Sequence, residues 1–334
     1  MTTAIASPLQ LPTGRSKNAI WLRCPWCGAA AALIGDCDDK SQNDKQHCRN
    51  CEVAIEKTAG VWRTMTTEQR RQLAPFIRDY EFIRRKEGRC SYDPAFYLAL
   101  PYADLTGNFS DQWRVRANSF RYLERRLLPQ ISKEYGDSLR ILDIGAGNGW
   151  LSYRLTLAGH RSTAVDLCTN NFDGLEAASP FATVLERFFP RFQAAMDELP
   201  FEDAQFDVAI YNASLHYSTN YVRTIREAIR CLRAGGVIFV VDSPSYTSHQ
   251  AGEAMRVERT RHCEAEFGAR GRTVPSREYL TPEDLVELST LGVRWTRHLA
   301  SYGLRWRLRP WIARLMRRRE PSQFYLYEGR LEAL

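Results

Sequence analysis

No apolar run in this sequence approaches the ~18 residues that a membrane-spanning helix requires. The opening stretch, "MTTAIASPLQLPTGRS", lacks a basic segment followed by an apolar one, so no secretory signal is expected. Internal repeats and low-complexity tracts are missing too, which removes the case for a repeat array. Cysteine is sparse. Nine occur in 334 residues, four of them in one metal-like pattern and the rest scattered. That usage suits a reducing compartment and a cytoplasmic protein better than a disulfide framework. Lysine is absent from Leu291 onward, where ten arginines stand against three glutamates, and this stretch carries the entire net charge of +7. A basic tail of this kind suits an anionic partner, whether nucleic acid, lipid headgroup or phosphorylated substrate, or simply a solvated surface.

With 44% hydrophobic and 25% charged residues the chain can bury a core. Its length allows one large domain with a small one, or two medium ones. The metal-like pattern is "CPWCGAAAALIGDCDDKSQNDKQHCRNC", a C-x₂-C-x₂₀-C-x₂-C spacing. Each pair bends back as a claw, and two claws make a tetrahedral thiolate site. Cys24, Cys27, Cys48 and Cys51 are therefore read as ligands of a structural Zn²⁺, with Cys37 or His47 as substitutes. Gly28 frees the first turn to aim amides at sulfur. The zinc ribbon is expected over residues 20–62, and a module of about forty residues has too little core to fold without its metal.

Residues 63–114 read as a helical linker or lid. "TTEQRRQLAPFIRDYEFIRRKEGR" has helical spacing, as one helix or two broken at Pro75, and "DQWRVRANSFRYLERRLLPQI" gives another. Beyond them "LRILDIGAG", "RSTAVDL", "RFQAAM", "FDVAIYNAS" and "VIFVVDSP" read as strands between helices, with "QFYLYEGR" as a last strand. The fold class expected is α/β, a doubly wound, Rossmann-like, mostly parallel sheet with a small N-terminal zinc ribbon. Gly145, Gly147 and Gly149 mark a tight strand-to-helix turn with free amides for a ligand. Asp166 ends the next strand, where an acid can accept both hydroxyls of a ribose. The glycines alone suit a dinucleotide equally well.

Taken in order and spacing, "LDIGAGNG", "AVDL", "MDELPFEDAQFDVAIYNASLHY" and "REAIRCLRAGGVIFVVD" resemble the class I S-adenosylmethionine-dependent methyltransferases. The likeness is to the ubiquinone/menaquinone C-methyltransferase-like group in particular, over about residues 115 to 245. The resemblance implies S-adenosyl-L-methionine as cofactor and methyl transfer as activity. It places Asp143, Gly145, Ala146, Gly147 and Gly149 around the methionine and ribose. It places Asp166 and Leu167 at the ribose, Met196 and Asp197 beside the adenine, and Asn212 toward the sulfonium. The family's adenine-side acid would fall at Ala195, so Asp197 is a departure. His216, Tyr217 and Asp242 are the catalytic candidates, with Tyr246 at the same rim. The segment "NASLHYSTN" lacks the D/N-PP-F/Y loop of amino-methylating enzymes that act on nucleic acids.

The domain implied spans 115–334, with a substrate-covering insertion at about 243–290 and the basic C-terminal segment. A small-molecule or lipid-linked acceptor is the leading expectation. A zinc ribbon ahead of such a domain also resembles the rRNA guanine-N1 methyltransferases, which makes RNA an alternative partner. A cofactor-binding module with a partner-dependent, non-methylating role is a third. In "RWRLRPWIARLMRRREP", Pro310 suits a first helical turn. Trp311, Ile312, Leu315 and Met316 share one face, read as packing on the domain, with peripheral membrane contact as the alternative.

Overall fold

The computed structural model describes residues 19–34, 43–268 and 276–332. The lead-in before residue 19, Cys37 and part of the 243–290 insertion lie outside the described residues.

The ribbon begins with β1 (Ile20–Arg23), β2 (Ala30–Ile34), β3 (Asp44–His47), β4 (Ala54–Thr58) and β5 (Val61–Arg63). Helices α1 (Thr67–Lys86), α2 (Pro94–Ala99), α3 (Ser110–Tyr122) and α4 (Leu128–Tyr135) follow, with a π-helical turn at Leu123–Leu127. Then come β6 (Arg140–Ile144), α5 (Trp150–Leu157), β7 (Arg161–Asp166), β8 (Arg191–Gln193), β9 (Phe206–Asn212), α6 (Tyr221–Cys231) and β10 (Leu232–Ser245). The chain closes with α7 (His249–Phe267), α8 (Pro282–Ser289), β11 (Val293–His298), α9 (Leu304–Leu315) and β12 (Gln323–Leu331).

Ten strands form one sheet in the order β11-β12-β10-β9-β6-β7-β8-β5-β4-β3. The run from β10 to β5 is parallel, with antiparallel strands at both edges. The central strands alternate between two cores, as a strand covered on both faces must. Ile141, Val208, Ile210, Val237 and Phe239 pack with Phe120, Leu127, Ile131 and Leu151 of the helices on one face. Leu142, Ile144, Ala209, Tyr211, Ile238 and Val240 pack on the other with Ile225 of α6, Leu288 of α8 and the ribbon's Leu22, Cys24 and Cys48. The doubly wound α/β sheet expected from the sequence is therefore present.

The ribbon residues are continuous with this sheet. β5 pairs in parallel with β8, Trp62 opposite Phe192. On the other side, the Arg23 amide donates to the Pro200 carbonyl at 3.0 Å and the Glu202 amide to the Trp21 carbonyl at 3.0 Å.

α1 is a single helix running through Pro75. Thr66 and Gln69 close a capping box at its start, and Gly88, at φ 69°, follows its end. The tail differs from expectation. α9 starts at Leu304, so Pro310 lies inside it and not in its first turn. Trp306 takes the inward position, stacked on Phe324 with centroids 5.6 Å apart. With that side turned in, Trp311, Ile312, Leu315 and Met316 face outward and are exposed, and the expected packing of these four on the domain does not occur.

Candidate active site

The sheet reverses its winding between β6 and β9, and such a switch point leaves a crevice at the carboxyl ends of the strands. A cavity of about 360 Å³ opens there. Gly145, Gly147 and Gly149 carry the turn from β6 into α5 with φ of 75°, 54° and 76°. The Gly145 and Ala146 amides both donate to the Val165 carbonyl, at 2.8 and 3.0 Å, and fasten the turn to β7. A Cβ on Gly145 would stand 2.3 Å from Ser214 Cβ. That glycine is required by both space and backbone conformation. Gly145, Ala146 and Gly147 line the cavity. Gly149 instead caps α5 and packs against Phe189.

Asp166 lines the cavity and accepts the Gly147 and Cys168 amides at 2.8 and 2.7 Å, one on each oxygen. Each oxygen keeps capacity for a second donor. Burial outweighs the two amides and pushes this carboxyl up to about 6. Asp143 lies beneath the turn, fully buried and outside the cavity lining. It accepts the Ser152 hydroxyl at 2.8 Å and ties α5 to β6. Its other oxygen has no hydrogen-bond partner, and burial pushes the carboxyl up to about 7.

Leu167, Met196, Asp197 and Asn212 line the same cavity, as does Ala195. The Leu167 carbonyl accepts Gln193 Nε2 at 3.0 Å. The Asp197 carboxylate stands 3.3 Å from the Arg223 guanidinium of α6. Of the catalytic candidates, only Tyr217 reaches the cavity. The 3₁₀ turn Leu215–Tyr217 points adjacent side chains in different directions. His216 turns inward, with Nδ1 3.3 Å from Ser243 Oγ, and its carbonyl accepts the Glu278 amide at 2.9 Å. Burial, then the charges of Arg259 and Arg116, push its imidazole down to about 3. His216 is thus a neutral anchor for the segment around Glu278.

Asp242 is buried behind the cavity wall at φ 55° and accepts the Ser119 hydroxyl at 2.5 Å. Burial pushes it up to about 6, against the pull of Arg116. Tyr246 accepts from Arg319 at 3.2 Å and also stands away from the cavity.

The cavity's roof comes from α1 and α3, in and next to the stretch read as a helical linker or lid, though the sequence did not show which side chains line the cavity. Phe76, Tyr80, Arg84, Trp113 and Arg116 line it. Phe76, Tyr80 and Arg84 recur every four residues, which puts them on one helical face. Periodicity reveals that face but not what it covers. The Arg84 guanidinium grips Asp173 with two bonds, at 2.5 and 3.0 Å. Tyr80 stands edge-on to Tyr217, with centroids 5.7 Å apart. Arg116 lies over the Trp113 ring at 4.7 Å and has no ion-pair partner among the described residues.

Away from this cavity, the Sγ atoms of Cys24, Cys27, Cys48 and Cys51 lie within 4.8 Å of one another. Cys24–Cys51 and Cys27–Cys48 are 3.7 and 3.6 Å apart. A zinc tetrahedron with bonds of about 2.3 Å has edges of about 3.8 Å, whereas a disulfide needs about 2.05 Å. The two claws match: the Gly28 amide donates to the Cys24 carbonyl and the Glu52 amide to the Cys48 carbonyl, both at 2.9 Å. Gly28 and Glu52 share positive φ, 70° and 59°. The four cysteines are placed to hold a metal ion.

Residues 142–240 match the family model for a methyltransferase domain. The matched stretch runs from β6 to β10. It contains the glycine turn, Asp166 and the strand ends that border the cavity. Over 137 residues the chain is 31% identical to 27-O-demethylrifamycin SV methyltransferase of Amycolatopsis mediterranei, covering 41% of this chain and 49% of the relative. It is 30% identical over 103 residues to malonyl-[acyl-carrier protein] O-methyltransferase of Erwinia pyrifoliae, covering 31% and 37%. The chain thus spans half or less of the length of these curated relatives. Among solved structures, the Burkholderia thailandensis 1,6-didemethyltoxoflavin-N1-methyltransferase with bound S-adenosylhomocysteine aligns at a TM-score of 0.41 and 19% identity, over 72% of this chain and 91% of that one.

Proposed function

We propose that this protein transfers a methyl group from S-adenosyl-L-methionine to a small-molecule or lipid-linked acceptor. The observation that carries the reading is Asp166. It lines the cavity with one backbone amide on each oxygen, beside a glycine turn that admits no side chain at Gly145. That cradle fits the cofactor, whose ribose hydroxyls Asp166 would accept. Met196 and Asp197 would flank the adenine, and Asn212 would face the methionine end. When bound, the cofactor supplies a methyl on sulfur that is already activated for displacement.

The chain's own contribution is placement and exclusion of water. Phe76, Tyr80 and Trp113 close an aromatic roof over the acceptor side, and Tyr217 meets it edge-on to Tyr80. Arg116 offers that side a cation for an acidic group. No histidine lines the cavity among the described residues, and His216, turned toward Ser243 and weakened as a base by burial, is not placed to take a proton from the acceptor. Acceptors that carry their own acidity suit this site. The zinc is read as structural, with the four cysteines as its ligands. The names of the two curated relatives, both methyltransferases of compounds or carrier-borne acids, favour this reading over RNA. Calorimetry with S-adenosylhomocysteine tests the cofactor. Transfer of labelled methyl from S-adenosylmethionine to a small-molecule fraction, with RNA offered in parallel, tests the acceptor class. Label entering RNA alone would overturn the proposal.

A further inference from the structure

α9 presents an apolar stripe outward. Leu304, Leu308, Trp311 and Leu315 recur at helical spacing and are 70%, 44%, 71% and 86% exposed. The opposite side is engaged: Trp306 stacks on Phe324, and the Arg309 guanidinium lies 4.0 Å over the Trp306 ring. At about 100° per residue, Arg307 and Arg314 border one edge of the stripe and Arg305 the other. Arg317 and Arg318 follow at its end, and no acidic residue occurs between His298 and Glu320. These five arginines make no ion pair among the described residues. Beside the stripe, a cavity of about 770 Å³ is lined by Arg305, Arg309, Arg318 and Arg319, with Glu258 as its one acid. Within it Arg309 Nη1 is buried without a hydrogen-bond partner.

We propose that α9 docks this protein on an anionic membrane surface. Leucine and tryptophan would enter the headgroup–acyl boundary. The arginine stems would lie along it with their guanidinium groups on lipid phosphates, one of them in the cavity beside the stripe. Other occupants satisfy only part of the surface. A second copy related by a two-fold axis would set these arginines against themselves. RNA would meet the charges and leave the four apolar side chains in water. The docked face is also tied to the active site. Tyr302, just before α9, stands 2.8 Å from the Ser119 hydroxyl, which donates to Asp242 behind the cavity wall. No helix among the described residues is long and apolar enough to cross a membrane, so the contact is peripheral.

The test is flotation of the full chain with vesicles of phosphatidylcholine, alone or mixed with phosphatidylglycerol. Capture by the mixed vesicles only is expected. R317Q/R318Q should weaken it about 25-fold, at about fivefold per arginine near the surface. W311S/L315S should abolish capture and leave the melting temperature unchanged, because both side chains are exposed. Equal capture by neutral vesicles, or capture indifferent to W311S/L315S, would overturn the proposal. So would a lowered melting temperature in W311S/L315S, which would place the stripe in the fold. A concentration-dependent dimer lost in that variant would show a second copy as the occupant. Salt-sensitive RNA binding without vesicle capture would show a nucleic-acid surface.

Discussion

Asp166→Ala isolates the contact on which the cofactor assignment rests. Its carboxylate already accepts the Gly147 and Cys168 amides, so the ribose hydroxyls would use the second lone pair of each oxygen. A hydrogen bond to a charged group contributes about 1.5–3 kcal/mol. Losing both should raise the Kd for S-adenosylhomocysteine at least about 100-fold. Proton linkage gives a second, independent readout. Burial raises the carboxyl from 3.8 to about 6, so ionisation costs the ligand-free protein stability as pH rises through that window. Ribose hydroxyls favour the ionised form. Affinity should therefore be level above about pH 6 and fall about tenfold for each pH unit below it. Asp166→Ala should flatten that profile. Isothermal titration across this pH range measures both effects, with melting curves of the ligand-free proteins run in parallel. A variant that melts like the parent and binds with unchanged Kd would refute the assignment, as would a pH profile that survives the substitution.

Three further outcomes follow from the geometry. Gly145→Ala would place a Cβ 2.3 Å from Ser214 Cβ at φ 75°, so cofactor binding should vanish in calorimetry while circular dichroism keeps the secondary structure. Arg84→Met strands the buried Asp173 carboxylate and should destabilise the fold by about 3–5 kcal/mol in urea titration. Metal analysis should return about one zinc per chain, falling in Cys48→Ser; stoichiometric iron would make the site a redox centre instead.

The parts legible in the sequence were those fixed locally. A glycine turn between an apolar run and a helix, and an acid ending the next strand, leave little freedom, and the structure puts Gly145, Gly147 and Asp166 at one cavity. Adjacent residues in a short turn were not legible in this way. Whether His216 or Tyr217 meets the cavity depends on the 3₁₀ conformation and on Ser243, far along the chain. The amphipathic character of α9 could be read, but its orientation could not. The face that turns inward is chosen by Trp306 finding Phe324 on β12, a contact no periodicity encodes. The same limit left the helical stretch of 63–114 as linker or lid, since helical spacing in α1 says nothing of what Phe76 and Tyr80 cover.

The ribbon shows most clearly how a distant pairing changes the argument. Read alone, it is a small module that its metal must hold together. In the structure it shares a core with the sheet and ends in β5, which pairs with β8. From there the connection runs to the cavity through named bonds. The Thr64 hydroxyl donates to the Gln193 carbonyl at 2.8 Å, and Gln193 Nε2 donates to the Leu167 carbonyl at 3.0 Å, on the cavity wall. Arg63 pairs with Glu176 at 2.7 Å on the same edge. A metal bound by the four cysteines to brace the ribbon would therefore also brace one side of this cavity. Chelation should lower S-adenosylhomocysteine affinity together with thermal stability, and restoring zinc should recover both. Chelated protein that melts earlier but binds with unchanged affinity would show that the β5–β8 edge transmits nothing to the site.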